Sequence, residues 1–259
     1  MTTLDASEVR LHYRWDELQG GPPLVLAHSL GASLDMWWPQ VEAFCRRFRV
    51  LRYDSRGHGG SSVPPGPYRI DQLGGDVLRL LDAQGIERAH FCGLSMGGAV
   101  GIWLGAHAPE RIDRLVLSNT SAWFGAPEPM TARIDLVRRE GLAAIVDATL
   151  ERWFNPAFRA AEPVSVQRIR EQILATSPEG YAACCAAIRD LDLREDLGRI
   201  RARTIVIAGS DDPSSTPAAA LAIAAAIPGA RYVELPAAHL SNIGAAAAFN
   251  ATVLGFLEK

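Results

Sequence analysis

The stretch that decides the fold is Ala89-His90-Phe91-Cys92-Gly93-Leu94-Ser95-Met96-Gly97-Gly98. Its first four residues form an apolar run typical of a buried strand, and residues 98–106 have the pattern of a helix. Glycines two positions before and after Ser95 allow a sharp turn, because glycine lacks the Cβ that would clash there. A strand, a sharp turn and a helix are the setting of a nucleophile elbow, which exposes a serine hydroxyl above a sheet edge. A plain glycine turn is the alternative interpretation.

The composition is that of an ordinary globular protein. Of the 259 residues, 48% are hydrophobic and 21% are charged, and the net charge is −3. Open α/β folds reach this length as one main domain, with or without an inserted lobe. Because the net charge is small and negative, bulk electrostatics would not attract nucleic acid or an anionic membrane, and we expect neither as a partner.

The chain carries no targeting or metal-binding pattern. Residues 1–5 lack the basic and apolar regions of a signal peptide, and no apolar segment reaches the ~18 residues of a spanning helix, so we expect a cytoplasmic protein. The cysteines show no metal-ligand spacing, and in a reducing compartment they act as small buried apolar residues. We therefore expect neither a metal nor a cofactor. The four cysteines are Cys45, Cys92, Cys184 and Cys185.

Strand and helix patterns alternate along most of the chain. Residues 9–15 alternate between apolar and polar, which predicts a half-buried antiparallel strand at a sheet edge. Helical patterns at 71–84 and 98–107 separate short apolar runs of the kind that helices cover on both faces. We therefore predict an α/β fold with a mostly parallel, doubly wound sheet. The short runs are 24–27, 50–53, 89–92, 115–117, 204–208 and 232–235.

The alternation stops in one internal segment. From Ser121 to about Asp190, helical patterns rich in Ala, Arg and Leu are punctuated by prolines, and the sheet pattern resumes at Thr204. This pattern predicts a helical cap inserted at 122–190 into a core made of residues 1–121 and 191–259.

A serine nucleophile needs a base, and the base needs a carboxylate to orient it. In sheets of this class the order along the chain is Ser, Asp or Glu, then His. Five of the six histidines occur by residue 107, so His239 is the candidate base, with an exposed loop histidine as the alternative. The acid should follow the preceding strand, where Asp211 and Asp212 are adjacent. We favour Asp212, three residues after Gly209, and keep Asp211 and, more distantly, Asp54 as alternatives.

An acyl-transfer site also needs backbone N–H donors for the oxyanion. Met96, the residue after the serine, supplies one. The loop His28-Ser29-Leu30-Gly31 follows an early strand, which makes the Leu30 N–H the second candidate. We interpret His28 as a loop-holding residue and not as a base.

The sequence resembles the α/β-hydrolase superfamily over nearly its whole length and, within it, the 3-oxoadipate enol-lactonases of the β-ketoadipate pathway. The motifs that carry the resemblance are residues 28–37, 54–59, 93–98, 180–185 and 235–243. By matched position, the resemblance implies a triad of Ser95, Asp212 and His239. It implies a small-molecule enol-lactone, opened to 3-oxoadipate through an acyl-enzyme in aromatic compound catabolism. A general short-chain carboxylesterase and a non-catalytic binding module are the alternatives.

An enol-lactone of this pathway carries a free carboxylate, for which the predicted core offers no cation. Arg133, beside Ile134 and Val137 at helical spacing in the predicted cap, is the candidate. Trp123 and Trp153 are candidate apolar walls. The alternative is that Arg133 is solvated and both tryptophans belong to the core.

Overall fold

The computed structural model describes residues 2–6, 9–18 and 20–258. These residues contain one sheet of eight strands in the order β1-β2-β4-β3-β5-β6-β7-β8. Neighbouring strands pair in parallel from β4 across to β8, whereas β1 and β2 pair antiparallel. This confirms the predicted mostly parallel α/β sheet. The strands are β1 (Thr2–Ala6), β2 (Val9–Asp16), β3 (Pro23–Ala27), β4 (Arg49–Tyr53), β5 (Ala89–Leu94), β6 (Ile112–Ser118), β7 (Arg203–Gly209) and β8 (Arg231–Leu235).

The prediction that residues 9–15 form an edge strand was wrong in one respect. The strand is antiparallel and half-buried, but β1 pairs along it and occupies the edge instead. The alternating pattern reports which face of a strand is buried; it carries no information about the neighbour on the hydrogen-bonding side.

Helices cover the sheet and fill the segment between β6 and β7. None of the helices in the described ranges is long and apolar enough to cross a membrane. The helices are α1 (Trp38–Cys45), α2 (Ile70–Ala83), α3 (Met96–His107), α4 (Glu128–Glu140), α5 (Val146–Trp153), α6 (Pro156–Ala161), α7 (Pro163–Ala175), α8 (Pro178–Asp190), α9 (Pro217–Ala226), α10 (Ser241–Gly244) and α11 (Ala246–Leu257).

The prolines of the internal segment mark helix starts. Pro156, Pro163 and Pro178 are each the first residue of a helix, where the missing N–H costs no hydrogen bond and the fixed φ favours the helical turn. Helices α4 to α8 all lie within the predicted insertion at 122–190. Its role as a separate cap stays a prediction.

The parallel core brings four strand ends to one edge of the sheet. Strands β5, β6 and β7 are buried along most of their length. A turn or loop follows the carboxyl end of each of these strands and of β8. In open α/β sheets, side chains that follow these ends converge on a common crevice. Ser95, Asn119, Asp212 and His239 all follow such ends.

Candidate active site

Ser95 lies in a strained turn between β5 and α3. Its backbone has φ 58° and ψ −116°, a region that residues with a side chain rarely occupy. The turn requires its glycines, because a Cβ at Gly93 would overlap the carbonyl of Gly97, and a Cβ at Gly97 would overlap that of Ala27. Strain of this kind, on the order of 1–3 kcal/mol, persists where the surroundings hold it in place. Here the Ser95 N–H donates to the carbonyl of Ser118 at 2.9 Å.

The structure brings Asp212 to His239. Asp212 Oδ2 lies 2.9 Å from His239 Nδ1, and both side chains are almost fully buried. Asp212 Oδ1 accepts hydrogen bonds from the N–H groups of Ser214 and Ser215 at 2.8 and 3.0 Å. Burial alone would raise the pKa of Asp212, but the electrostatic interaction and hydrogen bond with His239, together with the other donors, hold this pKa below its ordinary value. Asp212 is therefore an ionised partner that can orient His239.

The two alternative acids have other partners. Asp211 is exposed, and its Oδ2 accepts a hydrogen bond from Asn155 Nδ2 at 3.0 Å. Asp54 is buried with one oxygen 2.6 Å from His12 Nδ1 and the other accepting the Leu34 N–H at 2.7 Å. Neither carboxylate contacts His239 by hydrogen bond in the described part of the chain.

Two backbone N–H groups near Ser95 lack acceptors. Among the described residues, no hydrogen bond uses the N–H of Leu30 or of Met96. Met96 is the first residue of α3, where helix geometry leaves N–H groups unpaired and the helix dipole favours negative charge. Both groups are therefore unpaired within the described ranges, and their role as oxyanion donors stays a prediction.

Two buried histidines hold the Leu30 loop. His28 Nε2 accepts the Ser55 N–H, and His58 Nε2 accepts the Gly31 N–H, both at 2.9 Å. Burial lowers the pKa of both rings, to about 3 for His58, so both are neutral and able to accept near neutral pH.

A cavity of about 230 Å³ lies in front of these groups. Ser95 and His239 are among its lining residues, together with several apolar side chains, including Phe124, Met130, Trp153 and Ile188. A larger surface groove of about 770 Å³ lies between α1 and α11, but its lining includes no serine, cysteine or histidine. The smaller cavity is therefore the candidate active site.

Two arginines face this cavity without a carboxylate to neutralise them. Arg133 on α4 and Arg152 on α5 both line it, and neither forms an ion pair within the described residues. Burial, and then the charge of Arg133, lower the pKa of Arg152. The Arg152 guanidinium donates to Thr149 Oγ1 at 3.1 Å, one helical turn earlier. Two unpaired, partly buried cations favour an anionic group in the cavity.

Sequence reasoning selected Arg133 and missed Arg152. Helical spacing could have indicated Arg152. Arg152 and Trp153 lie three and four residues after Thr149, so all three share one face of a helix, and Trp153 was already a predicted wall of the site. Trp153, which was predicted as a wall, lines the cavity with its ring centroid 6.1 Å from that of His239.

Trp123 is not in the cavity lining. Its side chain is 45% exposed, and the Arg194 guanidinium lies over the ring, 4.6 Å from the centroid. The next residue, Phe124, lines the cavity instead. The sequence places an aromatic residue at this position of the chain, but in an irregular loop the direction of each side chain follows from tertiary contacts.

Comparison with known proteins identifies the family. Residues 22–177 match the family model described as the alpha/beta hydrolase fold. The chain therefore belongs to the α/β-hydrolase family.

Several relatives are similar over their whole length. The 3-oxoadipate enol-lactonase 2 of Acinetobacter baylyi is 41% identical over 99% of this chain and 96% of its own. The crystal structure of the enol-lactonase from Burkholderia xenovorans LB400 matches with a TM-score of 0.98 at 48% identity, covering 100% of both chains. A hydrolase from Pseudomonas aeruginosa PA01 matches with a TM-score of 0.96 at 50% identity, covering 100% of this chain and 98% of that one. These matches confirm the predicted similarity to enol-lactonases and support a hydrolase.

Proposed function

We propose that this protein opens 3-oxoadipate enol-lactone to 3-oxoadipate in the cytoplasm, as a step of aromatic compound catabolism. The observation that carries the proposal is a strained serine and a buried His239–Asp212 pair beside one cavity, which is also lined by two arginines that have no carboxylate partner among the described residues. The similarity to enol-lactonases supports the particular substrate. We further propose that helices α4 to α8 form a cap that supplies the arginines.

In this mechanism Ser95 Oγ attacks the lactone carbonyl carbon while His239 takes the hydroxyl proton. The negative charge that develops on the carbonyl oxygen is stabilised by the N–H groups of Leu30 and Met96. Asp212 stabilises the imidazolium that forms. In the free protein Ser95 Oγ makes no hydrogen bond to His239 in the described residues, and such contacts commonly tighten only when substrate binds.

Collapse of the tetrahedral intermediate breaks the bond between the carbonyl carbon and the ring oxygen. The ring oxygen takes the proton from His239 and leaves as an enol, which tautomerises to the ketone while still attached to the acyl group. A water molecule then gives a proton to His239 and attacks the acyl-enzyme. Release of Ser95 with that proton completes the turnover and generates a carboxylic acid, which loses the second water proton to solvent and becomes the new carboxylate.

Arg133 and Arg152 give this mechanism its specificity. The lactone carries a carboxylate away from the scissile bond, and each guanidinium can donate charge-assisted hydrogen bonds to it. Trp153 and the neighbouring apolar side chains enclose the ring. The alternative is a general short-chain carboxylesterase, whose substrates need no charge. Recognition of the substrate carboxylate by the two arginines would distinguish this enzyme from it.

Comparison of three substrates tests the proposal. These are 3-oxoadipate enol-lactone, α-angelica lactone, in which a methyl group replaces the carboxymethyl arm, and the uncharged ester p-nitrophenyl acetate. We expect the highest kcat/KM for the carboxylated lactone, because this ratio reports differential binding of the transition state. Equal or higher kcat/KM for p-nitrophenyl acetate would favour the carboxylesterase. No hydrolysis of any of the three, with no fluorophosphonate labelling of Ser95, would favour the binding module.

A further inference from the structure

Asn119 is linked to the loops of all three proposed catalytic residues, through its carboxamide to those of Asp212 and His239 and through the preceding residue to that of Ser95. Asn119 directly follows β6 and is fully buried. Its Nδ2 lies 3.0 Å from Asp212 Oδ2, the same oxygen that contacts His239, and 3.3 Å from the carbonyl of Ala238. The preceding residue, Ser118, accepts the Ser95 N–H through its carbonyl.

The orientation of this carboxamide is determined by its neighbours. A carbonyl and an ionised carboxylate can only accept, so the NH2 group must face Asp212 and Ala238. The opposite atom, Oδ1, accepts from two hydroxyls, Ser241 Oγ at 2.5 Å and Ser118 Oγ at 2.8 Å. A reversed amide would set its oxygen against the Asp212 carboxylate and the Ala238 carbonyl, leaving two buried acceptor–acceptor contacts, which is costly.

The backbone of Asn119 also departs from ordinary geometry. Its φ is 46°, and within the described residues the only other non-glycine residue with a positive φ is Ser95. Asparagine tolerates this left-handed conformation better than most residues. Its backbone N–H donates to the carbonyl of Ile207 on β7 at 2.8 Å, which fixes the turn against the strand that leads to Asp212.

We propose that Asn119 is a positioning residue that holds Asp212 ionised and aligned with His239. This inference rests on the proposed serine mechanism and adds a residue to it. Asn119 touches neither substrate nor reacting atoms; it acts through Asp212, whose pKa its hydrogen bond helps to lower. In the described contacts, the titratable side chains that face this network are Asp212 and His239.

Asn119→Gly tests the proposal, because glycine accepts the positive φ and removes only the carboxamide. With p-nitrophenyl acetate as the probe, we expect kcat to fall about 10- to 150-fold, the worth of a hydrogen bond to a charged group, while KM changes less than about threefold. The His239 Nδ1 proton should also shift upfield in the proton NMR spectrum at low temperature, since its acceptor is less well held. A merely structural role would not move that resonance.

Asn250→Gly is the matched control. It removes a carboxamide that binds Gln40 and the Pro39 carbonyl, away from the cavity. Glycine inside α11 is roughly 1 kcal/mol less favourable than alanine and so lowers stability somewhat, but kcat should stay within about twofold. Ser241→Ala is the second variant if Asn119→Gly does not fold. It removes one of the two hydroxyls that hold Oδ1, so we expect a smaller loss of kcat and an upfield shift in the same direction.

Three results would overturn the inference: a folded Asn119→Gly protein with kcat within threefold of the parent, a loss confined to KM, or an equal loss in Asn250→Gly. If Asn119→Gly does not fold, the inference is overturned by a Ser241→Ala protein whose kcat and His239 Nδ1 proton resonance are both unchanged from the parent. The proposed serine mechanism fails separately, if the folded Ser95→Ala protein hydrolyses the substrate nearly as fast as the parent. In that case the NMR comparison still tests whether Asn119 holds the Asp212–His239 pair.

Discussion

Replacing either arginine in the cavity should weaken recognition of a carboxylated substrate and spare an uncharged one. Arg133 and Arg152 are partly buried and have no carboxylate partner among the described residues. A charge-assisted hydrogen bond from either is worth about 1.5–3 kcal/mol, which is about 10- to 150-fold in kcat/KM. We therefore expect Arg133→Met and Arg152→Met each to lose about that factor on 3-oxoadipate enol-lactone.

The assay compares each variant on this lactone and on α-angelica lactone, which lacks the carboxylate. We expect kcat/KM for α-angelica lactone to stay within about threefold, because the lost contact is absent from that substrate. Arg138→Met is the matched control, since Arg138 lies on the same helix but is exposed and paired with Glu179. An exposed pair of this kind contributes little, so this variant should behave like the parent on both substrates.

Thermal unfolding separates substrate recognition from a role in docking helices α4 and α5. Burial and the charge of Arg133 both disfavour charged Arg152, so removal of either charge relieves repulsion in the free protein. We expect the melting temperature of Arg133→Met and Arg152→Met to stay level or rise. Equal losses on both lactones, together with a lower melting temperature, would refute the recognition role and indicate that the arginines dock the helices.

Three further predictions follow from the site. Ser95→Ala should lower kcat by about 10⁴-fold or more while the circular dichroism spectrum is retained; near-normal turnover would exclude Ser95 as the nucleophile. Asp212→Asn should lower kcat by about 10²- to 10⁴-fold, and Asp211→Asn by less than about tenfold; the reverse order would reassign the acid. The pKa of His58 is about 3 in the fold and about 6.5 in the unfolded chain, so the unfolded state binds more protons between these values. The free energy of unfolding in urea should therefore fall as the pH drops below about 6.5, less steeply in His58→Gln; equal slopes would assign the loss to other groups.

Local sequence patterns predicted the elements that depend on local physics. The glycines around Ser95 are required by a turn within a few residues, and their spacing is visible in the sequence. The apolar runs predicted every parallel strand to within a few residues, because burial on both faces leaves a continuous apolar signature. The place of β1 at the sheet edge was missed, because pairing partners leave no such signature.

Separating Asp212 from Asp211 needed contacts from distant parts of the chain. The two residues are adjacent and chemically identical in the sequence. In the fold, Asp212 is buried beside His239 and Asn119, whereas Asp211 is exposed and bound to Asn155. The spacing after the preceding strand favoured Asp212, but the partners that distinguish the two lie between 27 and 93 residues away in the chain.

Local periodicity and turn chemistry were enough to predict the parallel strands and the glycine turn around Ser95, since both depend on residues close in the chain. His239 was selected by its place late in the chain, after the strand that ends at Leu235. The direction of side chains in loops and between helices depends on packing across the molecule. Trp123 therefore faces Arg194 instead of the cavity, and Arg152 joins Arg133 from a different helix. Asn119 carried no motif at all, because its carboxamide gains its partners only when the ends of β6, β7 and β8 meet at one edge of the sheet.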